Sequence, residues 1–130
     1  MCHILIVEDS QAFASYLALL FTKAGHECTT CPTAEEAEAV IQSGLLDLAI
    51  IDICLPGKNG VALAWDLHQK KPDLPILVHS ANLDAWEEED LLDCGVSIAL
   101  PKPCPAADLL QAINGLLSPD PARPAHACAG

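Results

Sequence analysis

The chain has 130 residues, with Lys+Arg 6 against Asp+Glu 18, a net charge of -12, and a composition that is 52% hydrophobic but only 4% aromatic. That length reads as one domain, able to bury roughly two-thirds of its unfolded surface without staples. So acidic a chain repels phosphate backbones, which argues against direct nucleic-acid binding, and no apolar run is long enough to span a membrane.

Short apolar runs alternate with segments of helical period, the pattern of βα units and a parallel sheet. The first strand is expected near residues 3–7, followed by a helix over 10–24 with Phe13, Leu17, Leu20 and Ala24 on one face and Gly25 as its C-terminal cap. A second strand near 27–31 precedes Thr33-Ala34-Glu35-Glu36, which reads as a capping box; Ala37, Val40 and Ile41 turn inward and Gly44 ends the helix. Strand three is expected over 47–52, a helix near 60–70 after Asn59-Gly60, and strand four over 75–79 after Pro72 and Pro75.

The fourth helix, near 83–93, is the weakest, since Leu83, Leu91 and Leu92 are mixed with six acids: Asp84, Glu87, Glu88, Glu89, Asp90 and Asp93. Strand five is expected over 96–100, and Pro105 opens a last helix with Leu110, Ile113 and Leu117 at helical spacing. The stretch from Ser118 to Arg123 and Pro124 cannot hold a helix. The expected organisation is therefore one domain over 1–117 and a flexible, Pro-rich tail over 118–130.

Seven cysteines, an odd and scattered set, are expected as free thiols in a cytoplasmic protein, because Glu8 and Asp9 interrupt any export signal. Cys28 and Cys31 have metal-motif spacing, but on a strand residues three apart face opposite sides and cannot chelate one ion. The histidines read as structural or surface residues; His79, next to Ser80 on a strand, faces away from it.

Four apolar runs end in polar groups: Glu8-Asp9, Asp52, Ser80-Ala81 and Lys102-Pro103. In an open parallel sheet those C-terminal ends converge on one crevice. Three carboxylates, a hydroxyl and an ammonium suit a divalent cation and a phosphoryl group. A carboxylate can attack phosphorus to form an acyl phosphate, and a divalent ion relieves the crowding of negative charge.

With Pro56 and Asn59-Gly60 added, this ordered set resembles the receiver domain of bacterial two-component response regulators, in a stand-alone, chemotaxis-regulator-like form. The resemblance implies an α/β, flavodoxin-like (βα)5 domain with a parallel five-stranded sheet in the order 2-1-3-4-5. It implies Asp52 as phosphoacceptor, with Ser80 and Lys102 contacting the phosphoryl oxygens and a Lys102-Pro103 bond that is often cis in the family. Mg²⁺ would be held by Asp9 and Asp52 directly, by Glu8 through water and by the backbone carbonyl of Cys54. The phosphodonor would be a histidine kinase or histidine phosphotransfer protein, and output would pass to a downstream protein by contact, with no output domain in the chain.

Two departures accompany the match. The family often carries Tyr or Phe three residues before the lysine, where this chain has Ala99, so switching by an aromatic rotamer is lost and the acidic fourth helix becomes either the moving element or merely a solvated face. At the family's two positions that orient the hydrolytic water stand Cys54 and Asn82, which implies slow self-dephosphorylation. The alternative reading is a degenerate receiver that binds partners without phosphorylation; the intact acidic and basic set speaks against it. A phosphohydrolase would want a second acid where Cys54 stands, and a flavin site would be repelled by Glu8-Asp9.

Overall fold

In the computed structural model, which describes residues 2–43, 46–53, 60–80, 88–102 and 104–117, every expected apolar run becomes a strand. The elements run β1 (His3–Val7), α1 (Gln11–Lys23), β2 (Glu27–Cys31), α2 (Ala34–Ser43), β3 (Leu48–Ile51), α3 (Gly60–Lys70), β4 (Ile76–Ser80), α4 (Glu88–Asp93), β5 (Ile98–Pro101) and α5 (Ala106–Leu117). All strand pairs are parallel and the sheet order is β2-β1-β3-β4-β5, the flavodoxin-like order.

Alternation along the strands divides the core into two layers. Leu5, Val7, Ala49, Ile51, Ile76 and Val78 pack with α2, α3 and α4. Ile4, Ile6, Leu48, Ile50 and Leu77 pack with α1 and α5. Burial on both faces is why the central strands read as unbroken apolar runs. Cys31 belongs to the first layer and Cys28 to the second, so the pair does not share a face, and the described cysteines are free thiols.

Local chemistry sets the helix ends. The Ser10 hydroxyl accepts from the Phe13 N–H to cap α1, which ends in a Schellman motif: the Gly25 N–H bonds Thr22 O at 3.0 Å and the His26 N–H bonds Phe21 O at 3.1 Å, with Gly25 at φ +99°. Ala24 is therefore an exposed cap residue rather than part of the inward face, and Phe21, fully buried, takes its place. The Thr33 hydroxyl accepts from the Glu36 N–H at 3.2 Å and starts α2; Gly44 lies outside the described residues.

In α5 the deepest residues are Leu109 and Ile113, while Leu110 is only half-buried, a rotation of the inward face by one position. The described part of the fourth helix is its last six residues, Glu88–Asp93; residues 81–87 and the whole stretch 118–130 lie outside the described residues. Among the described residues no helix is long and apolar enough to cross a membrane.

Candidate functional site

Glu8, Asp52 and Lys102 each stand one residue beyond a strand, yet each backbone N–H still takes a rung of the sheet ladder. Glu8 N donates to Cys31 O, Asp52 N to Val7 O and Lys102 N to Ser80 O, all at 3.0 Å. The backbone of each site residue is thereby pinned to the neighbouring strand. Ser80 itself ends β4 and is fully buried. The Gly60 N–H donates to Ile53 O at 2.9 Å, bringing the start of α3 against the end of β3.

The Lys102 Nζ lies 2.5 Å from Glu8 Oε1 and 3.1 Å from Asp52 Oδ2. Glu8 and Asp52 are buried, and Lys102 is half-buried between them. The second Glu8 oxygen accepts from the Ser10 N–H at 3.1 Å, tying the carboxylate to the start of α1. Burial pushes the Glu8 carboxyl above its ordinary value; the Lys102 and Ser10 hydrogen bonds oppose that shift, and the Asp52 charge adds to it. Burial by itself would lower the Lys102 pKa, but its hydrogen bonds and attraction to Glu8 and Asp52 outweigh burial and leave it raised. Lys102 is firmly cationic at neutral pH.

Asp9 stands at the surface, and one carboxylate oxygen from each of Glu8, Asp9 and Asp52 falls within 4.8 Å of the others. Oxygen donors at that spacing fit a hard divalent cation that keeps several waters, as Mg²⁺ does. Glu8 at the same time engages Lys102 and the Ser10 N–H. Cys54, Pro56, Asn59, Ala81, Asn82 and Pro103 lie outside the described residues.

Two residues at the site were not legible as such in the sequence. Phe13, from the first turn of α1, places its ring centroid 4.5 Å from Lys102 Nζ and 5.2 Å from the His79 ring. His79 faces away from Ser80, as alternation requires, but that side is the one toward which Glu8 and Asp52 also lean in the strand alternation. Its imidazole is 1% exposed and neither ring nitrogen has a well-formed hydrogen bond. Burial, with the Lys102 charge, lowers its pKa to about 4, against a weaker opposing pull from Asp52 and the Pro101 carbonyl. The available signal was parity: His79 shares a strand face with Leu77, beneath α1.

Ala99 is half-buried and packs into the layer with α3 and α4, opposite Val78, so no ring occupies that position.

Comparison with known proteins agrees with this geometry. The family model for the response regulator receiver domain matches residues 4–114. The transcriptional regulatory protein BasR of Escherichia coli K12 is 32% identical over 88% of this chain and 51% of its own length. The response regulator SaeR of Staphylococcus aureus is 27% identical over 91% of this chain and 51% of its own. This chain thus spans about half the length of the curated relatives it matches.

Among solved structures, the response regulator TrrA from Thermotoga maritima, in complex with Mg²⁺-BeF, is 29% identical with a TM-score of 0.82 over 90% of this chain and 100% of that one. A CheY-like receiver domain protein from Methanospirillum hungatei is 27% identical with a TM-score of 0.82 over 88% and 92% of the two chains. With the carboxylate cluster, Lys102 and the 2-1-3-4-5 sheet in place, this chain belongs to the response regulator receiver domains of two-component systems.

Proposed function

We propose that this domain accepts a phosphoryl group on Asp52 from a phosphohistidine of a partner kinase or histidine phosphotransfer protein, and passes the signal on by protein contact. The observation that carries the reading is the Lys102 ammonium held between Asp52 and Glu8, with the Asp9 carboxylate alongside. A carboxylate oxygen of Asp52 forms the new P–O bond as the P–N bond to the donor imidazole breaks, and the imidazole leaves with the electron pair of that bond. The Asp52 backbone is held by its ladder hydrogen bond and its carboxylate by Lys102, whose ammonium meets one phosphoryl oxygen, while the Ser80 hydroxyl is the candidate donor to another.

Glu8, Asp9 and Asp52 are the side chains that would hold Mg²⁺, with the Cys54 carbonyl as a fourth donor; the chemistry a bound ion supplies here is charge neutralisation of the phosphoryl oxygens. TrrA, in complex with Mg²⁺-BeF, supports that assignment by likeness. The net charge of -12 supports a signalling partner rather than nucleic acid, and the free thiols among the described residues support a cytoplasmic setting.

Intact-mass measurement after incubation with acetyl phosphate and Mg²⁺ tests the reading. Wild type should gain one phosphoryl group, and neither Asp52→Asn nor a chelated sample should. Equal labelling of Asp52→Asn refutes the assignment; no labelling of wild type leaves a phosphorylation-independent binding module.

A further inference from the structure

The aromatic residues beneath the site offer no group to the phosphoryl chemistry itself, yet the Phe13 ring meets the Lys102 ammonium that does. Lys102 has a flexible four-carbon stem, and its two ion-pair partners are both acids that a bound cation and a phosphoryl group would claim. A lysine held by carboxylates alone loses its position at the moment it is needed. The face of the Phe13 ring attracts an ammonium through its quadrupole and competes for no ligand.

Phe13 is fixed from three directions. Its backbone N–H is held by the Ser10 hydroxyl at 3.3 Å, its ring is backed by the buried His79 imidazole at 5.2 Å and 41°, and Tyr16 lies alongside at 5.7 Å. Ser10 in turn donates its N–H to Glu8, so one turn of chain sets both the carboxylate and the ring that Lys102 meets.

We propose that Phe13 is a positioning residue for phosphoryl transfer: its ring, backed by His79, holds the Lys102 ammonium at the strand ends while the ion exchanges carboxylate oxygens for phosphoryl oxygens. The inference rests on the phosphoacceptor reading above for its functional half, and on geometry alone for its structural half.

The test compares Phe13→Leu, which keeps an apolar side chain, with Phe13→Tyr, which keeps the ring. NMR of the metal-free protein reads the Lys102 ε-methylene protons. Ring current should hold them upfield in wild type and Phe13→Tyr, and they should return to ordinary lysine positions in Phe13→Leu. With acetyl phosphate and Mg²⁺, the labelling rate should fall about three- to tenfold in Phe13→Leu and stay near wild type in Phe13→Tyr. A Lys102 signal unmoved by Phe13→Leu overturns the proposal, as does an unchanged labelling rate in that variant. If wild type takes no phosphoryl group, the phosphoacceptor reading is what fails, and the proton shifts alone decide whether Phe13 positions Lys102.

Discussion

Gly60 stands so close to the end of β3 that a Cβ on it would overlap the carbonyl oxygen of Asp52 and the Cα of Ile53. The Gly60 N–H bond to Ile53 O, at 2.9 Å, requires that approach. The first residue of α3 therefore fixes where the Asp52 backbone lies, and any side chain there must push the two apart.

Gly60→Ala should accordingly cost about 1–3 kcal/mol of stability by overpacking. It should also slow labelling of Asp52 by acetyl phosphate more than the stability loss explains. Denaturant titration and labelling rate, measured side by side, check this. A variant as stable and as fast as wild type would show that the strand end yields without consequence.

The carboxylates that Lys102 pairs with are two of the three proposed to hold the divalent cation, so ammonium and cation would compete for them. Removing the ammonium in Lys102→Ala leaves Glu8 and Asp52 buried without that partner, so the metal-free protein should lose about 1–3 kcal/mol of stability. The same variant should bind Mg²⁺ more tightly, read by calorimetry, while losing most of its labelling rate. In wild type the contribution of Lys102 should be present in full from neutral pH up to the ordinary lysine value of 10.5, and lost on the alkaline side only as pH rises through its higher folded value. Weaker Mg²⁺ binding by Lys102→Ala would rule out the competition.

His79 should make stability acid-sensitive. Its folded pKa of about 4 lies below the ordinary 6.5, so above 6.5 it is neutral in both states and its full contribution is present. As pH falls from 6.5 to about 4 the unfolded chain takes up a proton that the folded one refuses, and stability drops by about 3 kcal/mol from this group. Other groups titrate in the same window, so the measurement is the difference between wild type and His79→Leu. The gap between their unfolding free energies should shift in favour of the variant as pH falls across that window; a constant gap would mean the imidazole protonates without cost.

Two other glycines should respond in opposite directions. Gly115 lies exposed within α5 with nothing within 4 Å of a Cβ, so Gly115→Ala should raise stability by about 0.5–1 kcal/mol through a stiffer unfolded chain. Gly25, at φ +99° in the cap of α1, should lose about 1 kcal/mol or more on the same substitution. Thermal unfolding of the pair checks both signs.

Local pattern in the chain was enough for the five βα units, the parallel sheet and the polar groups at the ends of four of its five strands. These are local properties: apolar runs against helical period, Gly25 and Thr33 at helix ends, and chemistry-bearing residues where each run stops. The inward faces of α1 and α5 were legible only to within one position, because Phe21 over Leu20 and Leu109 over Leu110 are decided by how a helix rolls onto the sheet. Tertiary structure alone decided that Lys102 pairs with both Glu8 and Asp52, residues 94 and 50 positions away in the chain. It also decided that Phe13 and His79 meet beneath them, since contacts across three different elements follow from sheet order and twist rather than from spacing in the chain.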